Sequence, residues 1–291
     1  MSPSPSDWRD LVQNAAIRAI LGVALRVPYR WRVPLMGWVV ARLVAPLAGW
    51  TRRIEHNLRL VQPGMPFSER QRLMREVPDN AGRTLIEIYS GAEFADRVQD
   101  TPVTGPGVAA FEEARARGRP VILVTAHFGN YDVARAALIA RGHPLAGLYR
   151  PMRNARFNAH YVRAISTIGE PIYPTDRRGL MALIKHLKGG GVIGILVDVF
   201  ATDGAPLTFF GHEAPTALSA ADWARKYDAL IVPTYGIRRD DGLSFDIVMD
   251  APIAPDTSAA MTQALNDSLE AHVRGHMGQW FWIHRRWRVK S

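Results

Sequence analysis

Val121 to Ala126 is an unbroken apolar run of the length a buried strand needs. Comparable runs at 145–149, 192–197, 230–237 and 245–249 predict further strands. Between and after them the apolar positions recur at helical spacing, which predicts helices over 108–117, 131–141, 158–168, 180–187, 217–226 and 259–273. Strands apolar on both faces and interleaved with helices predict an α/β fold, a mixed central sheet covered by helices on both faces. Upstream, 53–94 reads as helical, broken at Pro63, Gly64 and Pro66, with a new helix opening near Ser68. Gly105, Pro106 and Gly107 read as a turn, and no internal repeat is found.

The first 56 residues follow a different pattern. Their uncharged stretches, 19–25, 33–41 and 43–50, are short, and a spanning helix needs roughly 20 mostly apolar residues. Arg18, Arg26, Arg30, Arg32 and Arg42 interrupt them, as do Pro28, Pro34 and Pro46. This argues against a bilayer span, and no small-residue cleavage site of a secretory signal stands out. Arginines interleaved with Trp31, Trp38 and Trp50 suit helices lying in the headgroup plane; an amphipathic cap on a soluble core is the other reading. We divide the chain into residues 1–56, a basic amphipathic, membrane-associated helical region, and residues 57–291, the α/β domain. The expected place is the cytoplasmic side.

Composition narrows the classes. The 291 residues are 47% hydrophobic, enough for a sizeable core, which excludes intrinsic disorder. Without cysteine there are no disulfides, thiolate metal ligands or thiol nucleophiles. The net charge is +9, and apart from Lys185, Lys188, Lys226 and Lys290 the Lys and Arg cations are all arginines, suited to bidentate contact with phosphate or carboxylate. No recognition-helix or RNA-binding signature accompanies them, so nucleic acid is not read as a partner.

The sharpest constellation is His127, Phe128, Gly129, Asn130, Tyr131 and Asp132, where a strand ends and a helix begins. Open α/β folds bind ligands at such places. On one ideal helix His127 and Asp132 would point about 140° apart, at ~100° per residue; across a strand-to-helix turn they can face each other. A carboxylate on one imidazole nitrogen leaves the other free to take a proton from a hydroxyl. This is a general-base dyad without a nucleophile of its own, suited to acyl transfer onto an external alcohol.

Other signatures fail. Gly242, Ser244 and Asp246 break a nucleophile elbow at its last position. Gly189, Gly191 and Gly194 have dinucleotide-loop spacing but precede a strand instead of following one, and read as a turn. His212 and Glu213 have Thr216 where a zinc helix needs its second histidine, and no metal or cofactor is indicated.

The His127 to Asp132 block resembles the H-x4-D/E motif of membrane acyltransferases, in wording that looks like the bacterial lipid A late (lauroyl/myristoyl) acyltransferases. Further blocks fall in the same order: Asn57 and Leu58 with a helical segment ending near Glu87; Tyr149, Arg150, Pro151 and Asn154, then Arg163; Asp198 ending a strand; Phe209, Phe210, Gly211, Ala214 and Thr216; Pro233 and Arg238; and Trp280, Trp282, His284, Arg285 and Arg286 near the end. Asp132 stands where that family usually has Glu, Val199 where it has Gln, and Tyr235 where it has Phe.

The resemblance implies transfer of a fatty acyl chain from acyl carrier protein to a hydroxyacyl group of a phosphorylated glycolipid, a lipid A precursor, at the cytoplasmic face of the inner membrane. It implies His127 as general base oriented by Asp132, with Arg163 as the oxyanion donor by family position. A basic face would attract both the acidic carrier and the phosphates. Several side chains keep two readings: Arg150 as a phosphate contact or an ion pair, Arg163 as a donor or a surface ion pair, and Asp198 as a sugar-hydroxyl contact or an ion-pair partner. Asn130 reads as an acceptor contact or a helix cap, Phe209 to Gly211 as a packing turn or substrate contacts, and 280–286 as core aromatics beside a surface charge run or an interfacial aromatic-basic block. The competing functions are a glycerolipid or ornithine-lipid acyltransferase, an acyl-thioesterase and a non-catalytic lipid-binding module.

Overall fold

The structure, a computed structural model, describes residues 5–287; residues 1–4 and 288–291 of the two regions defined above lie outside the described residues. The chain opens with helices α1 (Pro5–Ala24) and α2 (Tyr29–Val39), a π-helical turn (Val40–Val44), and a short α3 (Ala45–Leu47). Helices α4 (Trp50–Val61), α5 (Phe67–Tyr89) and α6 (Ala92–Val98) complete the helical half. There follow β1 (Val103–Thr104), α7 (Val108–Ala116), β2 (Val121–Thr125), α8 (Asp132–Ala140), β3 (Leu145–Tyr149), α9 (Ala155–Ile168), β4 (Ile172–Pro174), α10 (Arg177–Lys188) and β5 (Val192–Leu196). A hairpin β6 (Ala205–Phe209) and β7 (His212–Thr216), then α11 (Ser219–Tyr227), β8 (Leu230–Arg238), β9 (Phe245–Met249) and α12 (Ser258–Gly275), complete the order.

Seven strands form one sheet in the order β1-β9-β8-β2-β5-β3-β4. Its pairs are parallel except β8 with β9, so the α/β fold with a mixed sheet expected from the runs is the one observed. The strands made of continuous apolar runs are the central ones; β2 is buried along Val121 to Val124. The sequence reading passed over β1, β4 and the β6/β7 hairpin, which are very short or alternate buried with partly exposed residues. The hairpin turns at Phe210 and Gly211, both at positive φ (52° and 73°).

Three helices begin earlier than, or at the edge of, their expected spans because polar residues cap them: Asn154 accepts from the Phe157 N–H, Asp176 from Gly179 and Thr257 from Ala260. In the helical half, α5 lies directly on α2. Gly82 permits the approach, since a Cβ there would sit 2.6 Å from the Met36 carbonyl oxygen. The division after residue 56 falls inside α4. One residue later the buried Asn57 side chain donates to the carbonyls of Trp282 and His284 (2.7 and 2.9 Å), stitching this helix to the far end of the chain. Among the described residues no single helix is long and apolar enough to cross a membrane.

Candidate active site

β2 and β5 are parallel neighbours in a register that pairs Val121 with Val192 and Thr125 with Leu196. The Val197 N–H reaches the Thr125 carbonyl (3.3 Å), so the ladder continues past both strand ends. Side chains two residues apart on a strand share a face, and the same offset sets His127 opposite Asp198. The His127 Nδ1 lies 2.9 Å from Asp198 Oδ1. Asp198 Oδ2 also accepts the His127 backbone N–H (2.9 Å) and the Trp280 indole N–H (3.0 Å).

Asp198 is fully buried. Burial alone would raise its pKa, but the His127 imidazole and the hydrogen bonds hold the carboxyl well below the usual aspartate range. An ionised Asp198 only accepts, so Nδ1 must carry the hydrogen it shares with Asp198, and Nε2 of a neutral ring presents a lone pair.

The turn that follows is fixed on every side. Gly129 has φ +53°, and a Cβ there would lie 1.9 Å from the Gly236 carbonyl oxygen. The Gly129 carbonyl accepts from Thr84 Oγ1 (2.9 Å) and Asn80 Nδ2 (3.0 Å) of α5. Asn130 Oδ1 accepts the Asp132 N–H (3.0 Å) at the turn into α8, while its Nδ2 donates to buried Glu87 (2.8 Å). Glu87 is paired bidentately with Arg238 of β8, whose Nε donates to Asn80 (2.8 Å). On the remaining side Gly129 N–H bonds the Gln279 carbonyl (3.0 Å), and Phe281 N–H bonds the His127 carbonyl (2.9 Å).

Asp132 is the main correction. It was expected on the imidazole, but its carboxylate is taken by Arg135 Nε (2.7 Å), three residues along the same helix. Arg135 also donates to the carbonyls of Gly169 and Ile165 (2.8 and 3.2 Å), so Arg135, held by Asp132, ties α8 to the C-terminal end of α9. The Nδ1 of His127 carries one hydrogen, and the carboxylate in strand register takes it. Asp198, which had been open between a sugar-hydroxyl contact and an ion-pair partner, pairs here with the His127 imidazole.

In the block 280–286 the aromatics follow the core reading, and Arg286 departs from the surface charge run expected beside them. Trp280, Trp282 and Arg286 are fully buried. Arg286 donates to Thr216 Oγ1 (2.7 Å) and the Pro215 carbonyl (3.0 Å), with its guanidinium 5.4 Å from the centre of the Phe209 ring. Trp280, Trp282 and Arg286 thus belong to the core, while Arg285 between them is exposed. Phe209 and Phe210 stack into the same cluster as a packing turn. Arg150, just past β3, and Arg163, on α9, both have exposed side chains.

One site residue escaped the sequence reading in any catalytic role. The His284 ring centre lies 4.6 Å from that of His127, edge to face. Burial and then the neighbouring His127 push its pKa down to about 4, so it is neutral at ordinary pH. Its only sequence signal was membership of the terminal block. His127, Asp198 and His284 each place one potential ligand atom within 4.8 Å of the others, but Asp198 is already engaged by three N–H donors.

His127 stands at the wall of a pocket of about 520 Å³ between the helical half and the sheet. Leu21 of α1, Met36 of α2, Val40 of the π turn, Trp50 of α4, and Leu85 and Ile88 of α5 make it apolar, and Tyr131 and Tyr161 close one side. The arrangement sets an imidazole beside an apolar pocket. A family model described as bacterial lipid A biosynthesis acyltransferase matches residues 6–289. A lipid A biosynthesis acyltransferase of Haemophilus influenzae is 22% identical over 241 residues, 80% of this chain and 76% of its own length. A phosphatidylinositol mannoside acyltransferase of Mycobacterium tuberculosis is 22% identical over 289 residues, 97% of this chain and 88% of its own. Lipid A biosynthesis acyltransferase 2 of Shigella flexneri is 22% identical over 264 residues, 83% and 81% respectively.

Proposed function

The chain belongs to the bacterial lipid A biosynthesis acyltransferase family and is an acyltransferase, and we propose on that footing that it moves a fatty acyl chain from acyl carrier protein to a hydroxyacyl group of a phosphorylated lipid A precursor. The observation that carries this reading is the free Nε2 of His127 on the wall of the apolar pocket. The alkyl chain of the donor lies in the pocket with its thioester carbonyl beside His127. Nε2 removes the acceptor hydroxyl proton as the oxygen attacks the carbonyl carbon, and Asp198 stabilises the resulting imidazolium through Nδ1. Collapse of the tetrahedral intermediate breaks the C–S bond, and the imidazolium returns its proton to the departing thiolate. In this reading exposed Arg150 contacts acceptor phosphate, and Arg163 of α9 is the donor to the tetrahedral oxyanion.

The net charge of +9 favours an acidic carrier protein as donor. The first helices favour a membrane surface: Ile20, Val23, Trp31, Trp38 and Leu47 are exposed, Leu47 to 90%. Exposed Arg18, Arg26, Arg30 and Arg42 accompany them. We place the protein peripherally on the cytoplasmic face of the inner membrane. A second acceptor is favoured by one observation, the phosphatidylinositol mannoside acyltransferase likeness over 97% of the chain: a sugar hydroxyl of a mannosylated glycolipid.

The test is acyl transfer from C10 to C18 acyl carrier protein to a tetra-acylated disaccharide precursor and, separately, to a phosphatidylinositol mannoside, comparing wild type with His127→Ala. New ester on either acceptor, absent with the variant, supports the reading and selects the acceptor. Free fatty acid that no acceptor diverts into ester makes the protein a thioesterase, and intact donor overturns the reading.

A further inference from the structure

A second cavity lies behind the first. It measures about 90 Å³ and sits between α8, α9 and the sheet. Its floor is one face of three adjacent strands: Leu123 and Thr125 of β2, Gly194 and Leu196 of β5, and Leu145, Gly147 and Tyr149 of β3. By the two-residue alternation of strands, this is the face that carries His127 and Asp198 beyond the strand ends. The cavity therefore lies below the dyad along the strands.

Two residues line both spaces, Tyr131 and Tyr161, so their side chains are the partition. Tyr131 stands edge to face against His127, with ring centres 5.6 Å apart. Tyr161 comes from α9, is partly buried, and its ring lies tilted 6.4 Å from that of Tyr89. Four leucines, two isoleucines and Ala134 give the small cavity its apolar walls, with Thr125, Thr234 and three tyrosine rings among the remaining lining. Its charged pair, Asp132 and Arg135, is already hydrogen-bonded internally and to the Ile165 and Gly169 carbonyls, and so demands nothing from an occupant. A Cβ added at Gly147 would meet no atom within 4 Å.

We propose that this cavity is a gated annex of the acyl pocket, closed by Tyr161 and receiving the terminal methylenes of a chain too long for the main pocket. The assignment rests on the acyl-transfer reading above for its ligand class. At ~30 Å³ for a group the size of water, it holds roughly three methylenes. Tyr161 is then a specificity-determining residue and Gly147 the position that keeps the annex empty.

The experiment is equilibrium binding of free saturated fatty acids, C10 to C22, by displacement of a fluorescent fatty acid from wild type, Tyr161→Ala, and the double variant Tyr161→Ala with Gly147→Val. Wild-type affinity is expected to rise about fourfold per carbon to a plateau. Tyr161→Ala should move the plateau at least about three carbons longer, and adding Gly147→Val should move it back. A Tyr161→Ala plateau at the wild-type length, in protein that melts cooperatively, overturns the proposal, as does a shift that Gly147→Val leaves intact. If the double variant fails to fold, Leu123→Phe, which fills the annex from β2, takes its place. Free acids need neither donor nor acceptor, so a wild type that binds them with this profile and transfers nothing would sink the acyl-transfer reading alone.

Discussion

His127 Nδ1 and Asp198 Oδ1 are 2.9 Å apart because two parallel strands, 71 residues out of phase in the chain, stay in register for two residues beyond their last ladder pair. The acid bonded to the His127 imidazole is therefore supplied by the sheet, and Asp132, five residues from His127 in sequence, pairs with Arg135 instead.

Replacing the base tests the chemistry. His127→Ala should lower acyl transfer about 10³-fold, within the range of general-base contributions. The side chain is partly exposed and its loss leaves no large void, so the melting temperature should change little. Steady-state transfer and thermal melting on the same preparation check this, and retention of a tenth of wild-type activity would remove the base role.

Asp198→Asn and Asp132→Asn separate the two acids. The first leaves shape intact but deprives Nδ1 of its ionised acceptor, and kcat should fall about 10²-fold or more with KM nearly constant. The second breaks a buried ion pair, which costs about 3–5 kcal/mol, so its signature should be a lowered melting temperature. If Asp132→Asn abolishes turnover while melting normally, the assignment of Asp198 as the orienting acid is wrong.

Acid sensitivity follows from His284. Its folded pKa is about 4 against an ordinary 6.5, so between these values the unfolded chain binds a proton that the folded chain does not. Stability is thus full above about pH 6.5 and falls as the pH drops towards 4, by up to ~3 kcal/mol. Urea melts from pH 7 to pH 4 should show this slope, and His284→Phe should flatten it. An unchanged slope in that variant would place the acid lability elsewhere.

Gly129→Ala should be among the most damaging single-methyl changes in the chain. It forces an L side chain into positive φ and into the Gly236 carbonyl, and should destabilise by more than about 2 kcal/mol while displacing the His127 loop. Chemical denaturation and activity together check it; a fully active, equally stable protein would mean the loop can relax without cost.

The sheet was legible because its central strands are continuous apolar runs bounded by turns, and Val121, Val192 and Leu230 mark them plainly. β6 and β7 were not, since a half-exposed hairpin such as Ala205–Phe209 lacks that signature. His127 was found through its motif and its place at a strand end. Its partner was misassigned because sequence proximity favours Asp132, whereas strand order, which puts β5 beside β2, is decided by packing across the whole domain. Had the offset of 71 been known, Asp198 would have followed by counting. Arg286 misled for a similar reason: a charged residue in a basic run reads as surface until Thr216, Asn266 and Phe209 surround it.

The bond from Asn57 to the carbonyl of Trp282 spans 225 residues, and the Trp280 indole that holds Asp198 comes from the same late segment. Closing so long a loop is slow and comes after local helices and strands have formed. A nascent chain still lacking 280–287 has His127 and Asp198 but neither the indole that pins the carboxylate nor the strand-like wall behind the base. A complete His127 environment is thereby a marker of completed folding: until 280–287 have docked, the His127–Asp198 pair lacks its third donor, however well the helices and strands around it have formed.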